Sequence, residues 1–98
     1  MNTEDILATL RKNEAALRAR GVTHAALFGS RARGDARSES DTDILVDLDP
    51  DAHITVFEYV ALKEFIASLL DGPVDVVTRS SLKPYVRPSA LATVLDAF

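Results

Sequence analysis

Apolar residues repeat at two different spacings along the chain, and their alternation predicts an α/β domain. Residues 3–20 and 54–70 carry apolar side chains near the 3.6-residue period of a helix. Residues 22–28, 42–48 and 74–77 are short apolar stretches bounded by glycine, proline or polar residues, which is typical of strands. Helices that alternate with strands predict a small sheet with helices packed on it.

The first predicted helix has sequence signals at both ends and a weak point inside. Asn2 or Thr3 can cap its start, and Gly21 can end it. The apolar row lapses at Asn13 and Glu14, which lowers the helical signal there. We nevertheless predict one helix over this stretch.

Two other segments have weaker helical signals. Residues 30–33 can begin a short helix after the first strand. Residues 80–98 are predicted to form one or two short helices, broken at Pro84 and Pro88. The chain shows no internal repeat, and its 98 residues suit one domain that spans positions 1–98.

Composition excludes several classes of protein. The hydrophobic share of 47% is too high for a disordered chain, and the absence of cysteine excludes disulfides and thiolate metal sites. No run of about 18 apolar residues exists, and the N-terminus is amphipathic rather than signal-like. We therefore expect a soluble, cytoplasmic protein without a membrane partner. The net charge of −4 argues against direct binding to nucleic acid.

Charge is unevenly distributed around one polar segment. Residues 35–51 contain one basic residue, Arg37, and seven acidic ones: Asp35, Glu39, Asp41, Asp43, Asp47, Asp49 and Asp51. Arg31 and Arg33 come just before this acidic stretch. Acidic groups flanked by basic ones suit a site for a metal and phosphate, although a solvated acidic loop would give the same charge pattern.

Gly29-Ser30 follows the first predicted strand and has features of a phosphate-binding turn. A glycine permits close approach of the backbone to a ligand, and free N–H groups at a helix start attract anions. The Ser30 hydroxyl and the guanidinium of Arg31 or Arg33 add further donors. Neither the Walker motif nor the dinucleotide fingerprint is present. An ordinary turn remains the alternative.

Asp41-x-Asp43 leads into the second predicted strand. On an extended chain, carboxylates two residues apart point the same way. Their mutual repulsion is offset chiefly by a cation, and hard oxygen ligands favour Mg²⁺ or Mn²⁺ over Zn²⁺. A DxD sequence also occurs in surface loops, so the pair alone leaves both interpretations open.

Asp75 is the polar residue of an otherwise apolar strand. We expect this strand to be buried, and a buried carboxylate needs a partner, which a shared metal would supply. A paired or exposed residue on an edge strand is the alternative.

The combination of these motifs is more specific than any one of them. Gly29-Ser30, the Asp41-x-Asp43 pair eleven residues later and the distant Asp75 resemble the nucleotidyltransferase superfamily of DNA polymerase β. The small size and the run GSRARGDARSESDTDILVDL are similar to the minimal nucleotidyltransferases, which include the antitoxin half of HEPN/MNT toxin–antitoxin pairs. The resemblance covers roughly residues 20–80.

This resemblance implies a polymerase-β-like fold with a small mixed sheet, and roles for particular residues. Asp41, Asp43 and Asp75 would bind two Mg²⁺ ions, with Mn²⁺ as the other option, and Asp75 would also draw the proton from the acceptor hydroxyl. The turn would hold ATP by its β- and γ-phosphates through Gly29 and Ser30, and Arg33 would contact phosphate.

The resemblance also implies an activity and a partner. The activity is transfer of AMP from ATP to a protein hydroxyl, namely a tyrosine of a HEPN-type toxin, so that the chain acts as an antitoxin. Two alternatives stay open. One is a non-catalytic antitoxin that masks its partner by binding, and the other is adenylyl transfer to a small molecule such as an aminoglycoside. Asp47 receives no role as a ligand, and we expect it to lie outside the metal ligands or to face solvent.

Overall fold

A four-stranded mixed sheet forms the centre of the computed structural model, which describes residues 1–29, 32, 41–81 and 93–98. The strands are β1 (Val22–Phe28), β2 (Thr42–Leu48), β3 (Val74–Thr78) and β4 (Leu95–Asp96), in the spatial order β3-β2-β1-β4. β1 is antiparallel to both β2 and β4, whereas β2 and β3 are parallel. The predicted mixed sheet is therefore confirmed.

The described ranges contain three longer helical segments beside the sheet: α1 (Thr3–Lys12), α2 (Glu14–Ala19) and α3 (Val56–Leu69). Single 3₁₀ turns occur at Pro50–Ala52 and Arg79–Ser81. α3 lies between β2 and β3 in the chain, as a parallel crossover requires. None of the helices in the described ranges is long and apolar enough to cross a membrane.

The single helix predicted over residues 3–20 is wrong in one respect, because the chain breaks at Asn13. The side-chain amide of Asn13 donates a hydrogen bond to the carbonyl of Thr9 at 2.8 Å, and Asn13 ends α1. Asparagine competes for backbone groups in this way, which is why it favours helix ends. The lapse in the apolar row marks this break.

Both longer helices begin with reciprocal caps. The Asn2 side chain accepts from the amide of Asp5 at 2.8 Å, and that of Thr55 accepts from the amide of Glu58 at 3.1 Å. In each case the acidic side chain also accepts from the amide of the capping residue. These two reciprocal arrangements are capping boxes, and they fix where α1 and α3 start.

The hydrophobic core lies between the helices and one face of the sheet. The fully buried side chains at its centre come from all three helices and three strands: Ile6, Leu10, Leu17, Leu27, Ile44, Val46, Leu62, Ile66 and Val76. Strand residues alternate between faces, so the positions between these point to the other side of the sheet. Asp43 and Asp75 are among those positions.

The helices predicted for residues 80–98 are wrong where the structure describes this segment. Leu95 and Asp96 form β4 instead, and the Ala97 amide donates to the carbonyl of Ala25 at 2.9 Å. The open edge of β1 offers backbone partners that local helix propensity did not reveal. Pro84 and Pro88 lie outside the described residues.

Candidate active site

Asp43 and Asp75 are brought together by the register of β2 and β3. The two residues are direct partners in the parallel pair, as are Ile44 and Val76. Residues opposite one another on neighbouring strands project to the same face of a sheet. Because Ile44 and Val76 point into the core, both carboxylates project to the face opposite the core.

Asp41 lies one residue before β2 and is exposed. It is in phase with Asp43, which is half-buried. Within the described part of the chain, however, no three acidic or histidine side chains are grouped closely enough to hold a metal ion. The structure thus joins two of the predicted ligands through the strand register, and convergence of all three remains a prediction.

The expectation that Asp75 is buried is wrong, because its side chain is exposed. Among the described strands β3 lies at one edge of the sheet, which is consistent with the exposure of Asp75. The cost of burying a charge is therefore no argument for a metal at this position. The argument that survives is the position of Asp75 beside Asp43.

Gly29 adopts a backbone conformation that brings the chain against the carboxylate of Asp43. Its φ is +78°, in the left-handed region that favours glycine. A Cβ atom at position 29 would lie 3.1 Å from Cγ and 3.3 Å from Cβ of Asp43, and would contact its Oδ2 more closely still. A side chain at position 29 would therefore force the Asp43 carboxylate to move. Ser30 and Arg33 lie outside the described residues.

Tyr59 of α3 is a neighbour of this site that the sequence did not indicate. Its hydroxyl donates to the carbonyl of Val76 at 3.4 Å, next to Asp75. Burial raises the pKa of the phenol, and the negative charge of Asp75 raises the pKa further. A tyrosine in an apolar helix resembles any other core residue in the sequence, so no pattern distinguished it.

Two ion pairs occupy the far end of the same sheet face. Asp47 of β2 accepts from Nε of Arg79 through both carboxylate oxygens, at 3.1 and 3.2 Å. His24 of β1 lies 2.9 Å from the carboxylate of Asp96. The Asp47 carboxylate is thus paired with the Arg79 guanidinium at the end of the sheet away from Asp75.

Two pockets among the described residues lie away from the paired carboxylates. One of about 160 Å³ lies at the carboxyl ends of β2 and β3, lined by Val46, Asp47, Leu48, Thr78, Arg79 and Ser80. Asp43 and Asp75 lie at the opposite ends of those strands. We assign the site from the paired carboxylates and Gly29 because the ion pair of Asp47 and Arg79 already satisfies the charges in this pocket.

Comparison with known proteins gives this arrangement its context. The family model described as the nucleotidyltransferase domain matches residues 10–95. The protein adenylyltransferase MntA of Thermococcus cleftensis is 35% identical to this chain over 96 residues, which cover 97% of this chain and 95% of that protein.

Solved structures show the same likeness. One described as a minimal nucleotidyltransferase shares 32% identity with a TM-score of 0.70, over 97% of this chain and 95% of that one. A toxin–antitoxin structure with AMP-PNP shares 24% identity with a TM-score of 0.68, over 100% of this chain and 73% of that one, which is a likeness of fold. The predicted polymerase-β-like architecture is therefore confirmed.

Proposed function

The chain belongs to the nucleotidyltransferase domain family, and from that premise we propose that it transfers AMP from ATP to a hydroxyl group of a partner protein. The observation on which this rests is the register that sets Asp43 beside Asp75. The named activity of the Thermococcus relative supports a protein as the acceptor.

The side chains around Asp43 fit a divalent metal. Two carboxylates on neighbouring strand positions repel each other unless a cation lies between them. Mg²⁺ is usually bound through one or two carboxylates together with substrate phosphates, rather than by a closed protein cage. Asp43 and Asp75 would supply such a pair, and in this proposal Asp41 would turn toward them from the start of β2 as a third oxygen ligand. Mn²⁺ accepts the same ligands.

When bound, two such ions neutralise the triphosphate and stabilise in-line displacement at the α-phosphorus. The chain's own contribution begins with the turn after β1. The close contact of Gly29 with Asp43 would set phosphate beside the carboxylates, because the backbone approaches without a side chain in between. In this proposal Ser30 and Arg33 donate hydrogen bonds to the β- and γ-phosphates.

Asp75 is proposed to accept the proton of the acceptor hydroxyl. The hydroxyl oxygen then forms a bond to the α-phosphorus of ATP, the bond from that phosphorus to the bridging oxygen breaks, and pyrophosphate leaves. An exposed carboxylate on an edge strand suits this role because a partner protein can approach it from solvent.

The proposed acceptor is a tyrosine of a HEPN-type toxin, which makes this chain an antitoxin. The toxin–antitoxin structure with AMP-PNP has the same fold and supports a toxin as the partner, and the HEPN type and the tyrosine come from the sequence resemblance. In this proposal modification of the toxin, and not binding alone, neutralises it.

Intact mass spectrometry tests the proposal directly. The purified chain is incubated with ATP, Mg²⁺ and the small protein encoded by the neighbouring gene, and the mass of both proteins is measured. We expect adenylate to be added to the partner by the wild type, and neither by the Asp43→Asn variant nor in EDTA. No added adenylate on the partner would overturn the proposal. Full neutralisation of the partner by Asp43→Asn would show masking instead of modification.

A further inference from the structure

The solvent-facing side of α3 is unusually apolar. Val56, Phe57 and Val60 are 76%, 87% and 47% exposed. Single exposed apolar residues are ordinary, but three on adjoining positions of one helix form a continuous patch. We call these three side chains the α3 patch.

The remaining exposed residues of α3 add few charges to this face. They are Glu58, Ala61, Glu64, Ala67 and Ser68, whereas the one basic residue of this helix, Lys63, is half-buried with its ammonium 5.4 Å from the Tyr59 ring, so the exposed charges are acidic. In α1, by contrast, the exposed residues include Glu4, Asp5, Arg11 and Lys12. α1 therefore has the solvated face of an ordinary surface helix, whereas α3 has apolar residues on both of its sides.

A groove adjoins the α3 patch. It has a volume of about 190 Å³ and is lined by Leu48, Ile54, Thr55, Val56, Tyr59 and Thr78. Val56 belongs to both the groove and the patch, so the two form one surface. An apolar groove beside an apolar patch can accept one anchoring side chain of a protein partner, the arrangement in which a few residues supply most of the binding energy.

This surface is connected to the proposed catalytic carboxylate. Tyr59 precedes Val60 on α3, and its hydroxyl reaches the carbonyl of Val76 on β3. The phenol is near enough to Asp75 for that charge to raise its pKa. Because β3 is an edge strand, a protein that covers α3 can extend past this edge to Asp75 without crossing the sheet.

We propose that the α3 patch and its groove are the docking surface for the acceptor protein, which presents apolar side chains flanked by lysine or arginine. The basic flank complements Glu58 and Glu64 and the net charge of −4. The identification of the docked protein as the acceptor rests on the proposed function.

A second copy of this chain fits the surface less well. A stable interface buries roughly 800 Å² on each partner, and three side chains of this size supply on the order of a few hundred. A second copy would also bring its own Glu58 and Glu64 against the same two acids. A smaller interface suits an enzyme and an acceptor that must separate after each transfer.

Steady-state transfer to the neighbouring-gene protein tests the surface. Phe57→Ser removes the largest exposed ring at little cost to the helix, since serine and phenylalanine have similar helix propensities. We expect it to raise the KM for the acceptor about tenfold, with kcat and the KM for ATP unchanged. Phe57→Leu, the matched control, keeps an apolar side chain and should stay within about threefold of wild type. An unchanged acceptor KM in Phe57→Ser would overturn the proposal.

Two further measurements separate the possible failures. If the wild type transfers no adenylate, the proposed function has failed, and titration of the labelled chain with the same protein decides the docking surface alone. Binding that Phe57→Ser weakens about tenfold would support the surface, and absent or unchanged binding would overturn it. Sedimentation of the chain alone gives the third outcome, since a wild-type dimer that Phe57→Ser dissociates would identify a second copy as the occupant and contradict the proposal.

Discussion

Asp43 on β2 and Asp75 on β3 are direct partners in a parallel strand pair, although the whole of α3 separates them in the chain. The alternate positions of the same strands, Ile44 and Val76, are buried in the core. A slip of one residue in β3 would move Val76 out of the core and Asp75 to the other face. Core packing therefore fixes the relation between the two carboxylates.

Asp75→Asn should abolish adenylate transfer while leaving the fold at least as stable in EDTA. The substitution removes one of two like charges that lie opposite each other, and such a pair costs up to about 1 kcal/mol. Transfer is measured by mass spectrometry, and stability by a thermal melt without metal. A clearly lower melting temperature would contradict the expected relief of repulsion.

The control for this variant is Asp47→Asn. Asp47 lies on β2 and on the same face as Asp43, but it pairs with Arg79 and lies away from the proposed site. Because this pair is about one-third exposed, its loss should cost less than about 1 kcal/mol. We expect Asp47→Asn to retain adenylate transfer. A loss of transfer would show that the requirement for a carboxylate on this face is not specific to Asp43 and Asp75.

Gly29→Ala should impair both folding and transfer. A non-glycine residue at a φ of +78° costs about 1–2 kcal/mol, and the added methyl group also displaces the Asp43 carboxylate. We expect an unfolding free energy lower by about 2 kcal/mol in urea, and transfer reduced by more than tenfold.

Gly72→Ala is a matched control for this prediction. Gly72 has a φ of +76°, nearly that of Gly29, but a Cβ there would have no atom within 4 Å. This variant therefore has the backbone strain alone, and we expect full transfer activity. Equal activity of the two alanine variants would show that the contact between position 29 and Asp43 has no functional role.

The sequence predicted most of the strands because glycine, proline or polar residues mark the two ends of each apolar stretch. The predicted limits of residues 22–28 and 42–48 are those of β1 and β2, and β3 extends one residue beyond the prediction. The pairing of one strand with another has no such local signal. β4 depends on the free edge of β1, which no local pattern reveals.

The pairing of Asp75 with Asp43 was expected on a wrong premise, and the place of Asp41 in the same group stays a prediction. Asp75 was expected beside the other carboxylates because a buried charge needs a partner, yet it is exposed on an edge strand. Periodicity gives the face on which a residue lies, but exposure also depends on which strand is at the edge. For Gly29 the sequence indicated a close approach of the backbone to a ligand, which stays a prediction, and the structure adds a close contact with Asp43 that no sequence pattern indicated.

The raised pKa of Tyr59 predicts loss of stability in alkali. Burial and then the charge of Asp75 raise the pKa above the ordinary 10.0, so the folded state favours the neutral phenol. This contribution is fully present below about pH 10, the pKa of the unfolded chain, and is lost as pH rises through the higher folded value. Tyr59→Phe should therefore lose less stability than wild type between neutral pH and pH 11, measured by urea unfolding.

Absorbance titration of the phenolate tests the cause of this shift. The chain has two tyrosines, Tyr59 and Tyr85, so a Tyr85→Phe background isolates the signal. Asp75→Asn in that background should lower the pKa of Tyr59 only in part, since burial is the larger cause and remains. An unchanged pKa would show that the two residues are not electrostatically coupled.

Arg11→Met should loosen the C-terminal strand without unfolding the domain. The Arg11 guanidinium donates to the carbonyl of Ala97 at 2.8 Å and to that of Asp96 at 3.0 Å, which ties α1 to β4. A charge-assisted hydrogen bond of this kind contributes about 1–2 kcal/mol, less where solvent reaches it. Hydrogen exchange of the Ala97 amide, which donates to the carbonyl of Ala25, should quicken about tenfold, while exchange of the buried Val46 amide changes less.

Lys12→Met is the control, because Lys12 is an exposed basic residue in the same last turn of α1. Equal acceleration at Ala97 in both variants would mean that removal of charge from α1, and not the contact with β4, loosens the strand.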